Sequence, residues 1–191
     1  MKKDKKLDTS LLDRAICFAV QAHAGLERKG KGFPYIVHPM EAMAIVATMT
    51  SDQELLAAAA LHDTVEDTDV TVAELQELFG ERVALLVAHE SDVPLEGDAS
   101  DTWHDRKTFA INLLKGAERD VKVVAMGDKL SNMRAIARDY AVIGDEIWNL
   151  FNVKDKAEHA WHYHGLADAL SDLSDTPAYQ EFYALVKSVF G

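Results

Sequence analysis

Leu55-Leu56-Ala57-Ala58-Ala59-Ala60-Leu61-His62-Asp63-Thr64-Val65-Glu66-Asp67-Thr68 decides how the chain reads. The first seven residues are strong helix formers and apolar on every side, so they predict a helix enclosed by others. Polar chemistry arrives at its end. His62 and Asp63 offer an imidazole nitrogen and a carboxylate oxygen to one divalent ion, and Glu66 and Asp67 follow closely enough to handle an attacking water. Burying such groups is costly unless a metal or another partner compensates. A lone His-Asp pair is usually structural, so the reading turns on further donors elsewhere in the chain.

Toward the N-terminus, Ser51 or Asp52 is placed to cap this helix. Before it, Phe33-Pro34-Tyr35-Ile36-Val37-His38-Pro39 sets His38 ahead of a proline suited to a first helical turn, and a mostly apolar helix is expected from Pro39 to about Met49. His38 is a candidate donor, with capping or packing as the plainer alternative. Gly25-Leu26-Glu27-Arg28-Lys29-Gly30-Lys31-Gly32 is a glycine-punctuated loop whose cations suit phosphate oxygens, or simply a solvated basic loop. Asp8 to Ala24 has helical periodicity, with Leu12, Ala15, Ile16, Ala19, Val20 and His23 along one side. Cys17, the only cysteine, is expected to pack there as a small apolar side chain, and a single thiol excludes an intramolecular disulfide or a thiolate metal cluster.

Toward the C-terminus, Thr71-Val72-Ala73-Glu74 is a capping box that opens a helix ending at Gly80, and a second helix follows to about Ala88. His89 to Asp101 turns polar and acidic and predicts a loop. Thr102 to Leu114 resumes helical periodicity and carries Arg106 and Lys107, either for a phosphate or to balance nearby acids. Asp120 to Arg138 is a core helix into which the sequence puts Asp128, with Asn132 one turn on along the same face. A buried aspartate there needs a cation, which a metal supplies; pairing with Lys129 or Arg134 is the alternative. His159, His162 and His164 alternate with Trp161 and Tyr163; that spacing points to different helix faces, so structural roles are expected for the histidines and base stacking for the aromatics. Tyr179 to Phe190 closes the chain as an amphipathic helix.

With 191 residues the chain suits one well-buried domain over 1–191, with a motif-bearing core over about 8–140 and a helical extension over 141–191. The expected fold is all-α, one compact multi-helix domain with at most a small β-hairpin. Lys plus Arg number 20 against 32 Asp plus Glu, a formal charge of −12, which speaks against extended nucleic acid as a partner. A small anionic substrate remains compatible, given a local basic pocket. The charged start, Met1 to Lys6, is followed by no long apolar run, so neither a signal peptide nor a membrane span is expected and the location reads as cytoplasmic. Oligomeric state is left open.

His38, His62-Asp63 and Asp128, in that order, resemble the ligand pattern of the HD superfamily of metal-dependent phosphohydrolases. The surrounding text is more specific. Ala22-His23, Arg28-Lys29, Pro34-Tyr35-Ile36 with His38-Pro39, Leu61 to Thr68, Phe79-Gly80 and Asp128-Lys129-Leu130-Ser131-Asn132-Met133-Arg134 together resemble the hydrolase domain of RelA/SpoT proteins and the small alarmone hydrolases. The resemblance covers Leu12 to about Arg138. It implies that His38, His62, Asp63 and Asp128 hold one Mn²⁺, that Glu66 and Asp67 activate water, that Arg28 and Lys29 grip a pyrophosphate, and that Asn132 contacts the nucleotide. Lys107, Lys156, Trp161 and Tyr163 are further candidate substrate contacts.

The implied reaction removes pyrophosphate from the 3′ position of ppGpp or pppGpp, returning GDP or GTP, with ppApp and pppApp as candidate further substrates. The resemblance includes no synthetase region, so degradation of alarmone is expected and not its synthesis. Two departures from the family pattern are the stretch His89-Glu90-Ser91-Asp92-Val93-Pro94, where a threonine-bearing segment is usual, and Gly127, where a small alanine is common. The alternatives are an HD phosphatase acting on another ribose-phosphate nucleotide such as NADPH, and a non-catalytic alarmone sensor.

Overall fold

Asp52 begins the central helix. Its backbone is extended and its side chain accepts a hydrogen bond from the Glu54 amide at 2.9 Å, satisfying one of the donors that a first turn leaves free. The computed structural model describes residues 7–90 and 102–191. Helix α3 (Gln53–Leu61) is buried from Leu55 to its end, and α1 (Ser10–Ala22), α2 (Val37–Val46), α6 (Glu81–Glu90) and α8 (Arg119–Ile143) pack around it. Ala57 to Ala60 are each no more than 1% exposed, so α3 stays slender enough for neighbours on every side.

The long helix α8 is buried without interruption from Val121 to Asp128. Gly127 lets α2 cross it closely, since a Cβ there would stand 2.7 Å from the Ala42 carbonyl oxygen and 2.7 Å from Val46 Cγ2. Close packing thus accounts for glycine at this position, and the crossing delivers His38 on α2 to Asp128 on α8.

The short helix α4 (Thr64–Asp67) follows α3 after a break at His62 and Asp63. Helix α5 (Val72–Phe79) packs on α6; Thr71 caps it by accepting from the Glu74 amide at 3.2 Å, and Gly80 stops it at φ +95°, a backbone conformation that favours glycine. Helices α7 (Trp103–Lys115) and α9 (Lys156–Ala169) pack on each other, and α10 (Pro177–Phe190) rests on α8 and α9. Two 3₁₀ segments, Gly144–Leu150 and Ser171–Leu173, complete the path.

The architecture is all-α. Among the described residues the β pairing is one antiparallel bridge between Glu27 and Pro34, at the base of the glycine-punctuated loop. One buried apolar cluster runs from Ala15 to Val189. On α1 the buried line is Ala15, Ala19 and His23, while Val20 turns outward at 47% exposure, a correction to the predicted face. Cys17 is also exposed and does not pack as a core side chain, because it lies on the far side of the helix from that line. His89 and Glu90, expected in a loop, instead belong to α6; the rest of that expected loop, 91–101, lies outside the described residues. No helix among the described residues is long and apolar enough to cross a membrane.

Candidate metal centre and substrate cleft

The break between α3 and α4 aims His62 inward. Its Nδ1 lies 2.9 Å from the Ala59 carbonyl oxygen, which can only accept, so Nδ1 carries a proton and Nε2 is left to face the centre. His38 is fixed from outside too, with Nδ1 2.8 Å from the Ser131 hydroxyl oxygen. The two Nε2 atoms meet 3.3 Å apart. Asp63 Oδ2 lies 3.0 Å from His62 Nε2 and 3.4 Å from His38 Nε2, and Asp128 Oδ1 lies 3.0 Å from His38 Nε2 and 3.5 Å from His62 Nε2. Donor atoms of His38, His62 and Asp128 all fall within 4.8 Å of one another.

Two imidazole nitrogens and two carboxylates pointed at one spot require positive charge between them. The chemistry of nitrogen and carboxylate oxygen without sulfur suits a divalent ion such as Mn²⁺, Fe²⁺, Mg²⁺ or Zn²⁺. Without an ion, a proton meets the same demand. Burial alone would hold the His62 imidazole down, yet Asp63 and Asp128 push it well above the usual histidine range. Burial alone would likewise raise the Asp63 carboxyl, but His62 beside it pulls it down to about 2.

Around the donors, partners hold the remaining atoms. Tyr35 donates its hydroxyl to Asp63 Oδ2 at 2.7 Å, and burial followed by the Asp63 charge pushes its phenol far up, so it stays a donor. Lys129 Nζ lies 2.6 Å from Asp128 Oδ2 and 3.1 Å from Glu90 Oε2. Burial opposes ionisation on both sides of that pair, but Lys129 and Asp128 hold each other charged. Asn132 Nδ2 donates to Asp128 Oδ1 at 2.5 Å, and Arg28 donates to Asn132 Oδ1 while its guanidinium stands 5.3 Å over the Tyr35 ring. Tyr35 and Glu90 have no role in the sequence reading, whereas Lys129 is there the alternative partner of Asp128, a pairing that the structure contains. Tyr35 stands inside a quoted motif, and that proximity is its available signal.

Beside the centre opens a cavity of about 550 Å³ between α8 and the α7–α9 pair. Its lining brings together Arg28, Glu66, Asp67, Lys107, Asn132 and Tyr163 with His38, Asp63 and Asp128. Lys29 lines an adjoining cavity of about 450 Å³, which shares Arg28, Asn132 and Tyr163 and has apolar walls from Ile136, Ile147 and Phe151. Trp103 borders both.

Two expected contacts are not among the residues lining either cavity. Lys156 is held by the Tyr140 hydroxyl and by Asp145, each at 2.9 Å, and Trp161 stacks on His104 at 4.0 Å between ring centres. Trp161 is thus engaged with α7, and Lys156 with α8 and the 3₁₀ segment after it. The structural reading of His159 fits its surroundings, since Nε2 lies 2.8 Å from the Val153 carbonyl oxygen and the ring stacks on Trp148.

The model of the HD domain matches residues 15–153. A probable guanosine-3′,5′-bis(diphosphate) 3′-pyrophosphohydrolase of Synechocystis is 37% identical over 128 residues, 66% of this chain and 17% of that protein. A protein of Aquifex aeolicus named guanosine-3′,5′-bis(diphosphate) 3′-pyrophosphohydrolase is 36% identical over 127 residues, 65% of this chain and 18% of its own length. The chain thus spans less than a fifth of these curated relatives. Among solved structures, a metazoan SpoT ortholog described as hydrolysing ppGpp superposes with a TM-score of 0.78 at 22% identity, covering 96% of this chain and 98% of that one. A Listeria monocytogenes protein superposes at 0.70 with 26% identity, covering 80% of this chain and 98% of its own. With a family match across residues 15–153, the chain belongs to the HD domain family.

Proposed function

We propose that this chain is a divalent-metal-dependent hydrolase that removes pyrophosphate from the ribose 3′ position of ppGpp and pppGpp, acting in the cytoplasm. The observation that carries the reading is the convergence of His38, His62, Asp63 and Asp128 at the edge of a cavity that also receives Glu66, Asp67 and Arg28. Its volume of about 550 Å³ lies within the range of small-molecule sites. Both the names of the Synechocystis and Aquifex relatives and the described activity of the metazoan protein support the same substrate.

His38, His62, Asp63 and Asp128 would hold the ion, which we assign as Mn²⁺. When bound, a divalent ion supplies Lewis acidity and neutralises charge on a phosphoryl oxygen. Glu66 or Asp67, exposed at the mouth of the cavity, takes the proton from the attacking water. Arg28, braced over Tyr35, forms charge-assisted bonds to the pyrophosphate with Lys29 alongside. As the bond between phosphorus and the 3′ oxygen breaks, these cations offset the charge on the separating groups. Asn132 exchanges its contact with Arg28 for one to the nucleotide. Tyr163 walls the nucleoside, and Lys107 faces more distant phosphates.

Anion-exchange chromatography of ppGpp, ppApp and NADPH after incubation with metal-stripped protein, with and without Mn²⁺, tests the reading. GDP and pyrophosphate formed only with Mn²⁺ support it, and ADP from ppApp would extend it to adenine. Intact ppGpp with released phosphate from NADPH would overturn it in favour of another HD phosphatase.

A further inference from the structure

The ion donor His38 is connected to the C-terminal helix by an unbroken polar chain. Its Nδ1 lies 2.8 Å from Ser131 Oγ, and Ser131 donates its hydroxyl proton to Glu41 Oε2 at 2.9 Å. Arg134 reaches Glu41 Oε1 at 3.2 Å and forms a two-pronged pair with Glu181 on α10, both contacts at 2.7 Å. His38 and Ser131 are buried at 4% and 2% exposure, while Glu41 and Arg134 are partly open and Glu181 lies at the surface.

We infer that Glu41, acting through Ser131, is the positioning residue that fixes which nitrogen of His38 is offered to the ion, and that Arg134 and Glu181 hold Glu41 in place. The argument is one of proton count. A serine hydroxyl has one proton, and a carboxylate can only accept, so that proton is committed to Glu41. Toward His38 the hydroxyl can then only accept, which puts the ring proton on Nδ1 and leaves the Nε2 lone pair facing Asp128 and His62. Without the carboxylate, Ser131 is free to donate to His38 Nδ1, which moves the ring proton to Nε2 and blocks the donor atom. Partners behind a metal-bound histidine commonly set its tautomer and basicity in this way. Here the usual direct carboxylate is replaced by a hydroxyl and carboxylate in series, extended by an arginine to a helix that bears no candidate donor.

This inference rests on the metal reading above, so its test reads metal affinity and not turnover. Chelator competition with Mn²⁺ should give Glu41→Gln and Ser131→Ala dissociation constants raised by about 10- to 100-fold, with Ser131→Thr restoring binding. Glu181→Gln, which loosens only the outer link, should act in the same direction by a few-fold. Nitrogen chemical shifts of labelled metal-free protein should show a proton on His38 Nδ1 in the unaltered chain and none there in Glu41→Gln, a change that a merely structural role would not produce. If Ser131→Ala fails to fold, Glu41→Gln carries the test because its side chain is partly open. Unchanged Mn²⁺ affinity and unchanged His38 shifts in Glu41→Gln would overturn the relay alone. An unaltered chain that binds no divalent ion would overturn the relay and the metal reading together.

Discussion

Across the cleft, His38, His62 and Asp128 are no more than 8% exposed, whereas Phe109 and Leu113 on the facing helix are 51% and 41% exposed. The first wall, built from α2, the α3–α4 break and α8, holds its donor side chains through hydrogen bonds with partners outside the centre, Ser131 for His38, the Ala59 carbonyl for His62 and Tyr35 for Asp63. Asp128 alone is contacted by Lys129 and Asn132 and faces both histidines. The second wall, built from α7 and α9, is joined by ring contacts, with Trp103 edge-on to His159 at 5.5 Å and to His162 at 5.6 Å, and by His104 against Glu158 at 2.6 Å. The comparison separates two tasks. Chemistry at fixed atoms requires donors held rigidly by their neighbours, while nucleotide binding can use stacking surfaces that tolerate adjustment.

The sharpest way to break this division is on the rigid wall. His62→Ala or Asp128→Ala should abolish ion binding and ppGpp turnover together, measured by metal content after dialysis and by chromatography of products. Glu66→Gln should keep the ion and lower kcat by about a hundredfold to ten-thousandfold, as removal of a general base does. A variant that loses metal along with activity at Glu66 would move that residue into the donor set.

Two smaller effects sharpen the picture. Gly127→Ala should destabilise the chain by about 1–3 kcal/mol through overpacking against Ala42 and Val46, and should weaken Mn²⁺ binding by widening the α2–α8 crossing. Thermal melting and chelator competition on the same sample would separate the two effects. Ion uptake should also release a proton. In the metal-free chain His62 is held above 6.5 despite burial, by Asp63 and Asp128, so its charged form stabilises the fold fully below that pH. The contribution is lost as pH rises through the raised value. Asp63 works in the opposite sense, stabilising above the ordinary aspartate range and losing its contribution as pH falls toward about 2. Calorimetry of Mn²⁺ binding in buffers of different ionisation enthalpy counts the proton, and no buffer dependence near neutral pH would contradict it. The smallest effects belong to the facing wall, where Lys107→Ala should raise KM several-fold and Lys156→Ala should change it by less, because Lys107 lines the cavity and Lys156 is engaged with Tyr140 and Asp145.

The same division explains what could be read in advance. Helices α3, α5 and α8 announce themselves through local signals, namely an all-apolar run, a capping box with a terminal glycine, and a long apolar stretch. His38, His62, Asp63 and Asp128 could be put together in advance because their order resembles the ligand pattern of the HD superfamily, while their residue types alone left structural alternatives open, and the structure brings the four together. Tyr35, Glu41 and Ser131 act through pairings that join distant segments, as Ser131 joins Glu41 from 90 positions away, and a single sequence carries no signal for such contacts, whereas the pair of Lys129 with Asp128 joins neighbours and is one that the sequence offers. Trp161 and Lys156 fall outside the lining of both cavities for the opposite reason: aromatic and basic residues near a site suggest binding, but the face of α9 on which each stands is set by its packing against its neighbours. Val20 and Cys17 teach the same on α1, where helical spacing gives a face and only the neighbours decide its centre.

The most direct test of the central claim is to count manganese in the purified chain and in His62→Ala by electron paramagnetic resonance after titration with Mn²⁺ and removal of free ion. The four converging donors predict one tightly held ion per unaltered chain and none in the variant. An unaltered chain that retains no ion, or a variant that retains it as well as the unaltered chain, would contradict the account.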